Sequence, residues 1–363
     1  MDLIRTGLQN LDDARANLDR LKADGVSDER LVGMLKALSK ACDPDCALSN
    51  FVDITNAMQS QGRDFDAMVP DEAALERLIT VLGVSDEMGK LMRFRPELVE
   101  AAANDACESH LYNHEQRKAH VLKSVGADPN DHAMPTASLP LAEAATALRK
   151  TYRKQLAAIM AQDATANDPI EIQPRISTEL SDLADAALEG ALAIARHEVD
   201  GSEHVRFAII GMGKLGAQEL NYVSDVDLIY VVEPADMDTN GMALSRIGTK
   251  IATTLQRVCQ SVIMGVAEPT LWQIDGGLRP EGKDGPLVRR LESHEAYYEQ
   301  WAENWEFQAL LKARPVAGDT DLGQAYMDMT RPFVWTASKR DNFVYDCQQM
   351  RKRVEDLIPN PLK

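Results

Sequence analysis

GMGKLGAQELNYVSDVDLIYVVE, residues 211–233, directly follows RFAIIG (206–211) and carries two competing readings. Gly211, Gly213 and Gly216 fit a GxGxxG fingerprint after a strand pattern, with Glu233 about twenty residues on, which is how a dinucleotide-binding unit presents itself. The spacing opposes that reading. Between Gly216 and Asp225 there is space for about two helical turns, whereas parallel strands need a crossover of a dozen or more residues. The fingerprint also leaves Asp225 and Asp227 unexplained. They stand at i and i+2 where a strand begins, so both carboxylates project from one face. At about 6 Å and an effective dielectric of about 20 their repulsion is roughly 3 kcal/mol. Val226, Leu228, Ile229, Val231 and Val232 make the strand apolar on both faces. An acidic couple at the mouth of such a buried strand fits a divalent cation with oxygen ligands, Mg²⁺ by preference, better than two solvated acids.

A Gly-rich turn bearing a lysine, followed by Ser-Asp-x-Asp on a strand, is the pattern of a nucleotidyltransferase. Backbone amides of Gly211, Gly213 and Gly216, with Lys214, bind phosphate oxygens, and Ser224 supports them. Asp225 and Asp227 are the expected metal ligands and catalytic acids, and Asp275, ending TLWQID (270–275), is the expected third. Arg279 follows in Leu278-Arg279-Pro280 and is expected to neutralise phosphate bidentately. Lys312 and Arg314 carry a weaker form of the same expectation. Tyr297, Tyr298, Trp301, Trp305 and Phe307 read as helix packing rather than a base-stacking platform.

The surroundings agree with a soluble, cytoplasmic protein. The 363 residues are 45% hydrophobic and 26% charged, an ordinary globular balance. No run approaches the roughly 18–20 apolar residues of a membrane span, and the first residues lack the basic start of a secretion signal. With 39 basic and 57 acidic residues the net charge is −18, which opposes extended nucleic acid or an anionic membrane as partner but permits a small phosphorylated ligand. Five cysteines, at 42, 46, 107, 259 and 347, form no disulfide framework. Cys42-Asp-Pro-Asp-Cys46 resembles half a zinc site without its second half. His110, His114 and His120 cluster in sequence, but Gln116-Arg117-Lys118 do not complete the zincin pattern that His114-Glu115 begins.

Helical spacing of Leu18, Leu21, Leu31, Met34, Leu35 and Leu38, and of Leu75, Leu78, Ile79 and Leu82 after an Asp71 cap and before a Gly83 stop, predicts a helical domain over 1–123. Turn formers in SVGADPNDHAMPTAS predict a linker over 124–139. Residues 140–335 read as the catalytic domain with leading helices over about 140–163 and 177–197, the second bearing an apolar stripe of Leu180, Leu183, Ala184, Ala187, Leu188 and Ala191. Strands are expected at 206–211, 226–233 and 270–275, and helices at 241–263, 293–313 and 341–358, the last within a further helical region that begins at 336. The fold class is α+β, a mixed nucleotidyltransferase-type sheet with helical segments before and after it.

These residues resemble the glutamine synthetase adenylyltransferase/adenylyl-removing family. The likeness rests on residues 211–233, on WQIDGGLRPEGKDGPLV, on SHEAYYEQWAENWEFQALLKARPVAGD and on MRKRVED. Upstream, LGVSDEMGKLMRFRPEL and STELSDLADAALEGALAIAR extend it, so that it covers about 75–358. The family carries two nucleotidyltransferase domains in one long chain. A start at Met1, a helical leader and a single GxGKLGxxEL…SDxDL block imply the N-terminal, adenylyl-removing half. The resemblance then implies Mg²⁺-dependent phosphorolysis of adenylylated glutamine synthetase, with inorganic phosphate and nucleotide as small ligands and a PII-type signalling protein as regulator. AMP transfer from ATP and a non-catalytic nucleotide-sensing module are the alternatives. Two departures stand out. Gly277 occupies the place of an arginine found in many members, and the chain ends at NPLK before a GGxRDxEF-like block.

Overall fold

Apolar residues at helical spacing, punctuated by side-chain caps, build the first of two compact units, drawn from residues 1–113 and 151–176. A computed structural model describes residues 3–104, 112–236 and 240–357. The unit holds α1 (Leu11–Ala23), α2 (Asp28–Leu38), α3 (Pro44–Ser60), α4 (Phe65–Met68), α5 (Glu72–Val84), α6 (Asp86–Phe94) and α7 (Pro96–Ala103). Asp71 caps α5 by accepting the Ala74 amide. Gly83 is not its stop: the helix runs through Gly83, which is buried in a close approach to Ala41, and Ser85 both ends α5 and caps α6. The Cys42–Cys46 segment is a helix start, with Asp43 accepting the Cys46 amide and Pro44 in the first turn of α3.

The second unit is drawn from residues 114–150 and 177–363. It begins with α8 (His114–Ser124); residues 125–140 then carry no helix or strand. Two long helices, α9 (Leu141–Ala164) and α10 (Pro169–Glu198), contribute to both units, so neither unit is a single continuous stretch of chain. The second helix starts earlier than the expected 177, since Pro169 suits a first turn and Pro174 is tolerated near the start at the loss of one intrahelical bond. Its small-residue stripe brings neighbours in closely: a Cβ on Gly190 would lie 2.6 Å from Val121 and 3.0 Å from Leu148.

The sheet follows. β1 (Val205–Gly211) leads through a short helix, α11 (Gly213–Gly216), into β2 (Val226–Pro234); then come α12 (Gly241–Gln260), β3 (Ile274–Asp275), β4 (Val288–Arg289), α13 (Leu291–Gln300), α14 (Asn304–Leu310), β5 (Arg314–Gly318), α15 (Thr320–Ala337) and α16 (Phe343–Leu357). The strand order is β3-β2-β1-β5, with β4 also pairing β2. β1 runs antiparallel to β2 and β5, while β3 and β4 lie parallel to β2. Antiparallel pairing of β1 with β2 excludes a Rossmann crossover, as the short 216–225 spacing requires. Both faces of β2 are covered. Ile229 and Val231 join a core with Ala208, Ile210, Tyr298, Phe307 and Tyr326. On the other face Val232 meets α12 at Gly248, and Tyr230 accepts from Gln256 and packs on Phe207.

At three further places the structure departs from, or adds to, what the sequence predicts. The expected 293–313 helix breaks between Gln300 and Asn304, where Glu303 and Glu306 form a capping box that starts α14. Residues 314–318 form a strand, with Pro315 tolerated because β5 is an edge. Of 270–275, only Ile274 and Asp275 pair as strand, since Leu271 turns its amide to the Cys259 carbonyl at the end of α12.

That region is held by one buried cation. Arg149, 1% exposed, donates Nε and Nη2 to the Val258 carbonyl (3.2 and 2.7 Å), Nη2 to Ser261 (2.7 Å) and Nη1 to Glu268 (3.0 Å). Arg149→Met keeps the bulk and strips these carbonyls of a charged donor. It is expected to lower unfolding free energy by about 2 kcal/mol, read as a lower urea midpoint; an unchanged midpoint would remove Arg149 from the account of this loop.

Candidate active site

The turn after β1 is shaped by contacts that only glycine permits. Gly213 has φ +55, and a Cβ there would stand 2.5 Å from Oδ2 of Asp227. A Cβ on Gly216 would stand 1.8 Å from the Lys312 carbonyl oxygen and 2.4 Å from that of Gly211. The motif glycines therefore press the turn onto Asp227 on one side and onto the approach to β5 on the other. As at any helix start, the leading amides of α11 have no acceptor within the turn. Lys214 is exposed beside them.

Parallel pairing of β2 with β3 sets Asp227 directly opposite Asp275, with Val226 opposite Ile274. Neighbouring strands lie about 4.8 Å apart, and register partners point to one face. Asp225 is exposed at the mouth of β2, just after half-buried Ser224. Burial pushes the Asp227 carboxyl up to about 6, and the charges of Asp225 and Asp275 push the same way against the pull of Lys214. The Asp275 Oδ1 accepts the Gly277 amide at 2.7 Å, and a side chain at 277 would crowd that carboxylate, its Cβ lying 2.9 Å from Oδ1. Carboxylate oxygens are the donors a hard divalent cation takes, and the strand register brings Asp227 and Asp275 to neighbouring positions.

The basic residues stand elsewhere than the sequence led us to expect. Arg279 spends its guanidinium on the carbonyls of Gly276 (2.7 Å), Lys283 (3.2 Å), Gly285 and Pro286. In this structure it braces the 276–286 loop behind Asp275 rather than reaching toward a ligand. Lys312 pairs with Glu219 at 2.6 Å. Arg314 pairs with Asp185 on α10. The α10 stripe that the sequence predicts as apolar also carries Asp185 and Glu189, each 1% exposed. Glu189 accepts the Gly318 amide of β5 at 2.8 Å. Their four-residue spacing on one helix face was the available signal, but their partners lie far along the chain.

Other candidates resolve as follows. His114 Nδ1 lies 3.2 Å from Asp182, whose hydrogen bond raises the imidazole pKa. Ligand atoms of His114, Asp182 and Asp185 lie within 4.8 Å of one another, the one such group of three among the described residues; Asp225, Asp227 and Asp275 are not drawn that close together. His110 and Cys107 lie outside the described residues. Among the aromatics, Tyr298 and Phe307 are buried, with the Tyr298 and Tyr326 hydroxyls 2.8 Å apart, whereas Trp301 is exposed. No helix of the described residues is long and apolar enough to cross a membrane.

Comparison with known proteins gives one consistent result. The family profile described as "Glutamate-ammonia ligase adenylyltransferase" matches residues 75–329. A protein of Bifidobacterium longum (strain DJO10A) is 77% identical over 363 residues, covering 100% of this chain and 34% of the relative. One from Cutibacterium acnes is 40% identical over 99% of this chain and 36% of its own length, and one from Streptomyces avermitilis is 39% identical over 95% and 32%. All three bear the name "Bifunctional glutamine synthetase adenylyltransferase/adenylyl-removing enzyme". The chain thus spans about a third of the length of these relatives. With the profile covering its sheet, its Gly-rich turn and its acidic cluster, the chain belongs to the glutamate-ammonia ligase adenylyltransferase family.

Proposed function

We propose that this chain removes AMP from the adenylylated tyrosine of glutamine synthetase by metal-dependent phosphorolysis, giving ADP and unmodified synthetase. The observation that carries the reading is the pairing of Asp227 with Asp275, with Gly213 pressed against the same Asp227 carboxylate. Family membership and the relatives' names support the substrate.

In this reading Asp225, Asp227 and Asp275 hold Mg²⁺. Bound there, it would supply Lewis-acid charge to the phosphoryl oxygens. The leading amides of α11, with Lys214 and Ser224, hold the incoming phosphate; the Gly216 amide, expected from the sequence to join them, donates instead to the Met212 carbonyl at 3.0 Å. An oxygen of that phosphate forms a bond to the AMP phosphorus in line, and the bond from phosphorus to the tyrosine oxygen breaks. The departing phenolate takes a proton from solvent. A phenol of pKa near 10 leaves readily enough that no dedicated general acid is required. Arg279 contributes indirectly, by fixing the loop behind Asp275.

The relatives' name covers both directions, and AMP transfer from ATP would use the same acids. A PII-type protein as regulator and a cytoplasmic location belong to the same proposal. Incubation with adenylylated synthetase and inorganic phosphate is expected to release ADP. AMP incorporation from ATP without ADP release from the modified synthetase would reverse the direction. Nucleotide binding without turnover in either direction would make the chain a sensing module.

A further inference from the structure

Arg314 opens β5, where its Cα pairs with Gly211, the first glycine of the turn. Its guanidinium then reaches the turn's far end. Nη2 donates to the Leu215 carbonyl at 3.1 Å and Nε to the Gly216 carbonyl at 3.3 Å. These are the last two carbonyls of α11; that of Leu215 also accepts the Gln218 amide at 3.2 Å, so the guanidinium adds two charged donor bonds to an already closed turn. The remaining donors are fixed from the other side: Nη1 bonds Asp185 Oδ2 at 2.5 Å and Nη2 bonds Oδ1 at 3.1 Å. Asp185 is 1% exposed on α10. A buried carboxylate of this kind is weak as a source of stability, because desolvation offsets the attraction, but it is a strong constraint on where the guanidinium lies. A single short turn thus separates the carbonyls Arg314 grips from Gly213, whose Cα abuts the Asp227 carboxylate.

We infer that Arg314, held by Asp185, is a positioning residue that fixes the C-terminal end of the Gly213–Gly216 turn and so sets the turn's leading amides against the Asp227 carboxylate. The inference rests on the reading of those amides as the phosphate site. Phosphate is the ligand class whose affinity Arg314 controls without touching it. An arginine is needed because a planar fork must serve two carbonyls and a carboxylate at once; a lysine ammonium cannot.

The test uses Arg314→Lys, which keeps the charge, and Asp185→Asn, which keeps the shape. The first readout is hydrogen exchange at the Gly216 and Ala217 amides, which close the turn on Met212 and Gly213 at 3.0 and 3.2 Å. The second is calorimetric affinity for inorganic phosphate with Mg²⁺, measured well below the unfolding temperature. Arg314→Lys is expected to speed exchange at these amides by about tenfold, with β1 and β2 unchanged, and to weaken phosphate binding by about tenfold. Asp185→Asn should move both in the same direction. Unchanged exchange in both variants would overturn the positioning role. Faster exchange with unchanged phosphate affinity would leave Arg314 as the anchor of the turn and instead remove phosphate from the turn's amides.

Discussion

Asp225→Asn with Asp227→Asn is expected to lower ADP release by at least about a thousand-fold while leaving the fold intact. The two halves of that result have separate causes. The carboxylates are the proposed metal ligands, so their loss removes the charge that steadies the phosphoryl oxygens. The fold survives because neither acid holds it together. Asp225 is exposed, and Asp227 is a partly buried carboxylate whose proton affinity is raised by burial and by Asp225 and Asp275. Without a cation this crowding opposes folding at neutral pH, so the metal-free variant should melt no lower than the parent chain. Metal separates this account from a generic loss of activity. Mg²⁺ at about a hundred times its dissociation constant adds about 2.7 kcal/mol to the state that binds it. The parent chain should therefore melt higher when Mg²⁺ is added, and the double variant should not. A variant that still responds to Mg²⁺, or still turns over, places the cation elsewhere; the group of His114, Asp182 and Asp185 would be the next candidate.

How much of this was legible follows from where each signal resides. β1 and β2 were readable because their β-branched runs are local and their bounds, Val205–Gly211 and Val226–Pro234, coincide with the change of composition. The exclusion of a dinucleotide fold was readable too, since chain length alone forbids a parallel crossover between Gly216 and Asp225. β5 was not. It is short, starts Arg-Pro, and is a strand only because β1 offers it an open edge. α15 was likewise hidden, with Pro332 inside its span. The acids Asp225, Asp227 and Asp275 stood out by their place at strand ends, and the register of Asp227 opposite Asp275 is what the structure adds. Asp185 and Glu189 did not, because a buried acid is intelligible only beside its partner. Those partners, Arg314 and the Gly318 amide, lie 129 residues further along the chain. Arg279 shows the converse error. An arginine in a Gly-rich loop near a proposed metal reads as a phosphate ligand, yet the loop's own carbonyls claim its donors.

Gly216→Ala is expected to be the most damaging single methyl in the second unit. The new Cβ would stand 1.8 Å from the Lys312 oxygen and 2.4 Å from the Gly211 oxygen. Both are backbone atoms, so no flexible side chain can swing aside. Relief requires the whole turn to lift from β1 and from the approach to β5, which breaks the Arg314 contacts to Leu215 and Gly216 and shifts Gly213 away from Asp227. Overpacking of this severity is expected to cost upwards of about 3 kcal/mol, measured by urea unfolding. A displacement of about 1 Å at a reacting centre lowers turnover by about a hundred-fold, so ADP release should fall even where the protein remains folded. Two neighbours give the comparison. Gly213→Ala meets a side-chain oxygen, Asp227 Oδ2 at 2.5 Å, and carries a left-handed φ of +55; it should cost less stability but disturb the metal response. Gly241→Ala at the start of α12 has nothing within 4 Å and should leave both unchanged. If Gly216→Ala behaved like Gly241→Ala, the turn would not be clamped between β1 and β5, and its amides would have no fixed relation to the acids they are proposed to serve.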